Sequence, residues 1–241
     1  LPQGEIYIEP FGGGASVLLN KPRHKVEIYN DINEKVVNLL RCIQNEETFQ
    51  ELYHRLYWTL SSLDEFLKAI EIIKNPTNPI DLAWAVYVFM NQGFSGKFEY
   101  TKGNWRRARS KNIGLEFQNK ISRLPLIKNR LKNVLILNQN ALDIIQAYDS
   151  ESTVFYLDPP YPLNVRNSNS VRYEKEFFDH NQLINLLSKI KGKFALSSYN
   201  NSIYENLLNI PNVHKYVRET SLNASTTKIK KKSQEVLYVK P

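Results

Sequence analysis

The residues best suited to chemistry form the tetrapeptide Asp158-Pro-Pro-Tyr161. The apolar segment Val154 to Leu157 precedes it and predicts a buried strand that delivers Asp158 to its carboxyl end, where open α/β sheets bind ligands. Pro159 and Pro160 fix the backbone and remove two hydrogen-bond donors. The Asp158 carboxylate and the Pro159 carbonyl are then two acceptors near one point, with the aromatic face of Tyr161 beside them. The structural alternative is a proline turn with a capping aspartate.

Two neighbouring acceptors suit an exocyclic amine such as that of adenine. This amine is a poor nucleophile because its lone pair is delocalised into the ring. Acceptors that take both N–H groups favour a pyramidal nitrogen, whose lone pair can then point at a sulfonium methyl group. Tyr161 can stack on a base extracted from a duplex, a contact worth roughly 1–3 kcal/mol. Asp158 need not be a strong base, since the methylated amine is acidic while it is cationic.

A glycine-rich loop supplies a second motif. Glu5-Ile-Tyr-Ile-Glu9 has a strand pattern, and Pro10-Phe-Gly-Gly-Gly14 connects it to a short predicted helix. The glycines let a ligand approach the backbone closely, and a helix N-terminus suits an anionic group. The dinucleotide fingerprint G-x-G-x-x-G fails, because its third glycine falls on Val17. Asp31, at the end of the next strand, is placed to accept hydrogen bonds from ribose hydroxyls; the alternative is a tight turn with Asp31 as a helix cap.

Alternating strands and helices must position both motifs. The pattern predicts an α/β fold. Strands are predicted at 5–9, 26–30, 134–137, 154–157 and 194–198, with an antiparallel closing pair at 213–217 and 235–239. Helices are predicted at 15–20, 33–43, 141–147 and 181–190.

The alternation stops in the middle of the chain, where helical periodicity dominates. We therefore expect a catalytic domain of residues 1–44 and 132–241 with an inserted helical lobe of residues 45–131. Glycines, aromatics and arginines alternate without a helical period between Gln92 and Arg109, which predicts a hairpin or loop near 92–112.

Composition narrows the partners. The 241 residues carry a net charge of +8, which favours a polyanionic partner. Cys42 is the one cysteine, so no internal disulfide forms, and we expect a reducing cytoplasm. The longest apolar run, Leu82 to Met90, is about half a membrane span. No His/Cys set has metal-ligand spacing, so we predict no metal.

Taken together, the two motifs resemble those of the Dam-like DNA adenine methyltransferases. Phe11-Gly-Gly-Gly14, a helical lobe and Asp158-Pro-Pro-Tyr161 follow one another in the family's order, and the resemblance covers nearly the whole chain. It implies a Rossmann-like seven-stranded sheet, S-adenosylmethionine as methyl donor, double-stranded DNA as substrate and base flipping. It also implies a Trp-x-Gly-Gly-Lys segment ahead of the glycines, so we expect part of the cofactor pocket to lie upstream of Leu1.

The resemblance also assigns site residues. The catalytic residues are Asp158, Pro159, Pro160 and Tyr161. The cofactor-binding residues are Glu9, Pro10, Phe11, Gly12, Gly13, Gly14, Ala15, Ser16, Asp31, Ile32, Asn140, Ala141, Leu142 and again Asp158. Ser197-Ser-Tyr-Asn200 and the segment Lys231 to Tyr238 also match the family.

Basic side chains mark three candidate DNA-binding segments. The alternative is a solvated charge run for the first and a solvated loop for the third, and the second is predicted to be a mobile loop that could close over the flipped base. The first, where the family places its target-recognition hairpin, holds Arg106, Arg107, Arg109 and Lys111. The second follows the tetrapeptide and holds Arg166, Arg172 and Tyr173. The third precedes the last strand and holds Lys228, Lys230, Lys231 and Lys232.

The expected function is site-specific adenine methylation of DNA, in a prokaryotic or phage-like cytoplasm and with a cognate restriction endonuclease as a candidate partner. Two alternatives stay open. The first is methylation of an RNA or protein amine, although such enzymes usually have Asn at the first tetrapeptide position. The second is a catalytically inactive DNA-binding or specificity subunit, against which the intact Asp158 and Tyr161 argue.

Overall fold

A mixed β-sheet forms the framework of the protein. The computed structural model describes residues 1–93, 100–106, 112–161, 178–221 and 232–241. Within this part of the chain, seven strands pair in the order β3-β2-β1-β4-β5-β7-β6. The strands are β1 (Ile6–Glu9), β2 (Val26–Asn30), β3 (Val134–Leu137), β4 (Thr153–Leu157), β5 (Lys193–Tyr199), β6 (His214–Ser221) and β7 (Lys232–Lys240).

One strand, β7, runs opposite to both of its neighbours in the described sheet. β1 pairs in parallel with β2 and β4, and β4 pairs in parallel with β5. β7 pairs antiparallel with both β5 and β6, so the predicted antiparallel pair at one edge is confirmed. Strands such as β1 and β4 are almost fully buried, which explains why they have no alternating pattern in the sequence. The predicted α/β class is confirmed.

Four described helices belong to the alternating part of the chain: α1 (Ser16–Asn20), α8 (Ala141–Ala147), α9 (His180–Leu187) and α10 (Ser202–Glu205). Helices α1, α8 and α9 lie where the sequence predicts them, whereas α10 was not predicted. The predicted bounds of α9 need correction, because Asp179 caps its first turn and the helix ends at Leu187 rather than Ile190. No helix in the described ranges is long and apolar enough to cross a membrane.

The remaining helices lie in the middle of the chain. They are α2 (Glu34–Gln44), α3 (Glu46–Tyr57), α4 (Leu63–Lys74), α5 (Pro79–Gln92), α6 (Ile113–Ile121) and α7 (Leu124–Leu131). α5 is buried on almost every side, and α2, α3, α4 and α6 pack against it. The Trp84 indole of α5 donates to the Thr59 hydroxyl over 2.8 Å, which satisfies its buried N–H.

Contacts divide the described residues into two compact units. The first holds Leu1–Ile32 and residues from Gln139 onward; the second holds residues within Asn33–Asn138. The boundaries predicted at residues 44 and 132 therefore differ from those of the compact units. The reason is that α2 packs mainly on α5, so that it belongs with the central helices although it follows a strand.

Candidate active site

The loop after β1 has a conformation that requires glycine at two positions, Gly12 and Gly13. The Gly12 N–H donates to the Asn30 carbonyl over 2.8 Å, and a Cβ on Gly12 would lie 2.1 Å from Cε2 of Tyr29. Gly13 has a φ of +47°, in the left-handed region that favours glycine. The turn closes where the Ala15 N–H donates to the Gly12 carbonyl over 2.7 Å. Contact with β2 therefore fixes the path of the loop.

Space opens beyond this turn. A Cβ on Gly13 or Gly14 would meet no atom within 4 Å, whereas one on Gly12 would strike a ring. Gly13 and Gly14 thus leave open space beside the backbone, and contact with a ligand there stays a prediction. The helix α1 begins at Ser16 rather than at Ala15, which has a left-handed φ of 55°. Ala15, at its N-cap position, makes no side-chain hydrogen bond.

Asp31 holds the loop from the end of β2. Its Oδ2 accepts a hydrogen bond from the Gly13 N–H over 2.7 Å, and the residue is buried. The alternative in which Asp31 caps the next helix is wrong, because the Asn33 side chain caps α2 by accepting from the Lys35 N–H. A carboxylate beside an open glycine backbone is suited to a ligand that carries hydroxyl donors. The neighbouring Ile32 is half exposed.

Asn30 is a buried residue of the candidate site that the sequence analysis did not predict. Its Nδ2 donates to the carbonyls of Pro10 and Gln139 over 2.9 and 3.0 Å, and its Oδ1 accepts from the Gln139 N–H over 2.9 Å. One fully buried amide thus joins the loops that follow β1 and β3. Both loops hold predicted cofactor-binding residues. The sequence signal was its place beside Asp31 at the end of a buried strand.

The loop after β3 is occupied by a helix cap. The Asn140 Oδ1 accepts from the Leu142 N–H over 2.8 Å, so this amide begins α8. Ala141 and Leu142 are buried. These predicted cofactor-binding residues therefore have roles in the fold, and contact with the cofactor stays a prediction for each of them.

Glu9 ends β1 with a buried carboxyl group. Its Oε1 accepts from the Tyr7 hydroxyl over 2.6 Å. Burial raises the pKa of Glu9 to about 7, and the nearby Asp158 carboxylate adds to the rise, while the bond from Tyr7 opposes it. Glu9 therefore carries a carboxyl group whose charge changes near neutral pH.

Asp158 extends from the end of β4, as predicted. Its side chain is exposed, Pro159 is buried and Pro160 is half-buried, so the prolines anchor a turn that presents the aspartate. β4 pairs with β1 on one side and β5 on the other. Burial, followed by the Asp158 charge, raises the pKa of Tyr156 to about 12, which keeps that hydroxyl protonated.

An aromatic pair stands next to Asp158. The Tyr161 and Tyr199 ring centroids are 4.7 Å apart with planes inclined at 56°. Tyr199 ends β5 within Ser197-Ser-Tyr-Asn200. This segment matches the family in sequence, and the sequence analysis predicts no role for it. The partner of Tyr161 was not predictable because it depends on the pairing of β4 with β5. A second aromatic contact joins Phe11 of the glycine loop to Phe178, with centroids 5.3 Å apart and an edge-on orientation.

Among the predicted DNA-binding residues, Arg106 has a described side chain. Its Nη2 donates to Glu116 Oε2 over 2.7 Å, and its backbone N–H donates to the Gln92 carbonyl. This guanidinium therefore has a role within the fold, and its contact with DNA stays a prediction. The Lys232 backbone begins β7. The other predicted DNA-binding residues lie outside the described residues: Arg107, Arg109, Lys111, Arg166, Arg172, Tyr173, Lys228, Lys230 and Lys231.

The described side chains fit S-adenosylmethionine better than a metal. In this part of the chain no three His, Cys, Asp or Glu residues gather as metal ligands. The open space at Gly13 and Gly14, with one carboxylate at Asp31 and another at Glu9, suits a nucleoside that carries a cationic amino acid. Part of that group would lie over the loop, with its hydroxyls near Asp31.

Comparisons with known proteins agree with this chemistry. Residues 1–234 match the family model of the D12 class N6 adenine-specific DNA methyltransferases. The Type II methyltransferase M.MjaIII of Methanocaldococcus jannaschii is 31% identical over 272 residues, which cover 99% of this chain and 90% of that protein. The crystal structure of SMU.472 complexed with SAH is 12% identical and has a TM-score of 0.26. It covers 78% of this chain and 55% of its own.

Proposed function

This chain belongs to the D12 class of N6 adenine-specific DNA methyltransferases, and we propose that Asp158 and Tyr161 hold the target adenine while the glycine loop holds the methyl donor. The reaction transfers a methyl group from S-adenosylmethionine to the exocyclic amine of adenine in DNA. The observation that supports this assignment is the position of Asp158 at the end of β4, the strand that pairs with β1.

S-adenosylmethionine supplies an electrophilic methyl group on a sulfonium. The Asp158 carboxylate accepts one N–H of the adenine amine, and the Pro159 carbonyl accepts the other. These two bonds direct the nitrogen lone pair away from the ring and towards the methyl group. As the N–C bond forms, the bond from the methyl group to sulfur breaks, its electron pair stays on the sulfur, and S-adenosylhomocysteine is the leaving group. The nitrogen becomes cationic, and Asp158 or water takes its surplus proton. Asp158 therefore acts mainly on the transition state.

Tyr161 and Tyr199 receive the base in this proposal. An adenine within a duplex cannot reach Asp158, so it must leave the stack. Stacking on Tyr161 then replaces part of the lost base stacking, at roughly 1–3 kcal/mol. Tyr199 packs against Tyr161 and keeps that ring from turning into the space left for the base.

Asp31 and Asn30 serve the cofactor. Asp31 lies at the Gly13 N–H and accepts from the ribose hydroxyls, while Asn30 holds the two loops at a fixed distance. Residues 45–131, with the segment near 92–112, form the target-recognition lobe. Its basic residues contact DNA together with the two lysine- and arginine-containing segments named above.

Partners and setting extend this proposal. The relative M.MjaIII bears the name of a Type II methyltransferase. By analogy, a restriction endonuclease with the same target sequence is the expected companion, and a prokaryotic or phage-infected cytoplasm is the expected setting. Sequencing of methylated DNA from cells that express the protein would identify the target. Protection of that DNA from a paired nuclease would test the companion.

Transfer of a tritiated methyl group to duplex DNA tests the chemistry. Asp158→Ala should lower turnover by at least about a thousandfold, while affinity for the cofactor stays within a few fold. Asp64→Ala removes an exposed carboxylate from α4 and is the matched control. Near-normal turnover of Asp158→Ala would contradict the proposed role. No transfer by the wild-type protein would favour an inactive binding or specificity subunit, and transfer to RNA or protein alone would favour the other alternative.

Tyr161 allows a separate test of stacking. Tyr161→Ala should weaken methylation of duplex DNA, and Tyr161→Phe should preserve most of it, because the ring stacks on the base. If the phenylalanine variant were as damaged as the alanine variant, the hydroxyl would be the working group.

A further inference from the structure

A buried polar network lies behind Glu9, and the proposed reaction makes no use of it. Tyr7 is fully buried on β1 and donates its hydroxyl hydrogen to Glu9 Oε1 over 2.6 Å. The ammonium of Lys21 lies 3.8 Å from the centroid of the Tyr7 ring and forms an ion pair with Glu27. The side chains of Lys21 and Glu27 are only 5% and 4% exposed. Two charges have thus been removed from water beside one tyrosine.

The network has strong geometric constraints. The Lys21 ammonium donates to the Pro22 carbonyl over 3.0 Å as well as to Glu27, and it lies 2.9 Å from His24 Nδ1. Its three N–H bonds thus have partners, which offsets the cost of burying it. The cation attracts the face of the Tyr7 ring, and the His24 ring packs against the same tyrosine. Contacts of the Tyr7 ring with Lys21 and His24 therefore hold its hydroxyl in position to donate to Glu9.

The surroundings of Glu9 make this donor consequential. Burial and the Asp158 charge raise the pKa of Glu9, while Tyr7, the Leu18 backbone and the more distant Lys21 lower it. From β4, Tyr156 is a protonated neighbour whose pKa is itself raised. A cation with N–H donors beside Glu9 would therefore favour its charged form, in the same direction as the Tyr7 bond.

We propose that Tyr7 is a positioning residue of the methyl-donor site, which holds the Glu9 carboxylate as an oriented acceptor for the ammonium group at the amino-acid end of S-adenosylmethionine. The inference rests on the proposed placement of the donor over the glycine loop. The ammonium is the preferred cation because it carries N–H donors, which a sulfonium lacks. Lys21 and Glu27 act through Tyr7 and do not touch the ligand.

Two ligands distinguish recognition of the ammonium from general damage. S-adenosylhomocysteine contains the ammonium, and 5′-methylthioadenosine contains the nucleoside and sulfur without the amino acid. Tyr7→Phe keeps the ring over Lys21 and removes the hydroxyl, so Glu9 should be protonated at higher pH. If the pKa of Glu9 rises by about one unit, the affinity for S-adenosylhomocysteine should fall about tenfold at pH 6, about fivefold at pH 7 and about twofold at pH 8. The ratio of variant to wild type at one pH cancels the titration of the ligand's own amine.

The experiment is calorimetric titration of both ligands at these three pH values. Tyr87→Phe, which changes a buried tyrosine of α5, is the matched control and should leave both affinities unchanged. Glu9→Gln should weaken S-adenosylhomocysteine binding and flatten its dependence on pH. Neither Tyr7→Phe nor Glu9→Gln should alter binding of 5′-methylthioadenosine by more than about twofold, a free-energy change near 0.4 kcal/mol.

A second measurement needs no ligand. Carbon-13 NMR of labelled glutamate carboxyl groups should show one that titrates near pH 7 in the wild type, is absent from Glu9→Gln and titrates at higher pH in Tyr7→Phe. Equal S-adenosylhomocysteine affinity of Tyr7→Phe and the wild type at all three pH values would overturn the inference. An equal loss for both ligands would also overturn it, since that pattern indicates a structural role. If the wild type binds neither ligand, the placement of the donor is wrong and the inference fails with it.

Discussion

The three glycines of the loop after β1 should respond to alanine in three different ways. At Gly12, the new Cβ would lie 2.1, 2.5 and 2.8 Å from three atoms of the Tyr29 ring. That ring is fully buried, and its hydroxyl donates to the Gly13 carbonyl over 2.7 Å. Overpacking costs about 1–3 kcal/mol, and a lost hydrogen bond adds about 1. We therefore expect Gly12→Ala to lower the free energy of unfolding by about 2–4 kcal/mol.

The other two positions separate backbone strain from ligand contact. Gly13→Ala meets no neighbour but must adopt a φ of +47°, at a cost of about 1–2 kcal/mol. Gly14→Ala meets no neighbour and has no left-handed φ, so stability should change by less than about 0.5 kcal/mol. Its methyl group would nevertheless occupy the space proposed for the methyl donor, and affinity for S-adenosylhomocysteine should fall by about tenfold or more.

Urea denaturation gives the three stabilities, and calorimetry gives the affinities. The expected order of stability is Gly14→Ala, then Gly13→Ala, then Gly12→Ala. Wild-type stability in Gly12→Ala would show that Tyr29 can move aside and that the loop is not held as described. Undiminished S-adenosylhomocysteine affinity in Gly14→Ala would remove the cofactor from this loop.

Further substitutions test the neighbouring contacts. Asp31→Ala should weaken cofactor binding by about 1–3 kcal/mol in calorimetry, the scale of hydrogen bonds to a charged group; unchanged affinity would confine Asp31 to holding the Gly13 N–H. Asn30→Ala leaves a buried carbonyl and N–H unpaired and should lower the free energy of unfolding in urea by at least about 2 kcal/mol, a result that a neutral variant would refute. Arg106→Ala should lower stability because it breaks the pair with Glu116, whereas alanine at Arg107 should change DNA binding on a panel of singly altered sites at several salt concentrations. If the Arg106→Ala protein had wild-type stability and lost its preference for one base, the structural role of Arg106 would be wrong and the residue would contact DNA.

Local sequence patterns predicted most of the framework because strands and helices depend on neighbouring residues. The apolar run before Asp158 and the glycines after Glu9 located two strand ends that the sheet brings side by side. The two prolines that follow β4 likewise predicted that Asp158 would extend from the end of the strand. These features need no knowledge of contacts far away in the chain.

Long-range contacts account for what was missed. Asn30 meets Gln139 across 109 positions of sequence, and no local pattern records that pairing. Tyr199 became a partner of Tyr161 through the pairing of β4 with β5. The grouping of α2 with the central helices has the same cause: its apolar face packs on α5, a partner that strand–helix alternation does not reveal. Arg106 could not be distinguished from its neighbours because Glu116 lies on a separate helix.

The order of the strands explains why the proposed sites for the methyl donor and for the target base lie at one edge of the sheet. β1 lies between β2 and β4, and the strands follow chain order outward from there, to β2 and β3 on one side and to β4 and β5 on the other. Such a change of direction in strand order is the switch point where open sheets bind ligands. Ile8 pairs with Phe155 in the parallel register, so Glu9 and Tyr156 are the next residues of the two strands. The glycine loop and Asp158 therefore begin at the same edge of the sheet. Neighbouring strands lie about 4.8 Å apart, a spacing that suits a cofactor over one loop and a base over the next. Helices α2 to α7 lie between β2 and β3 along the chain. The proposed target-recognition lobe is therefore a separate stretch of sequence from the two motifs that we propose carry out the transfer.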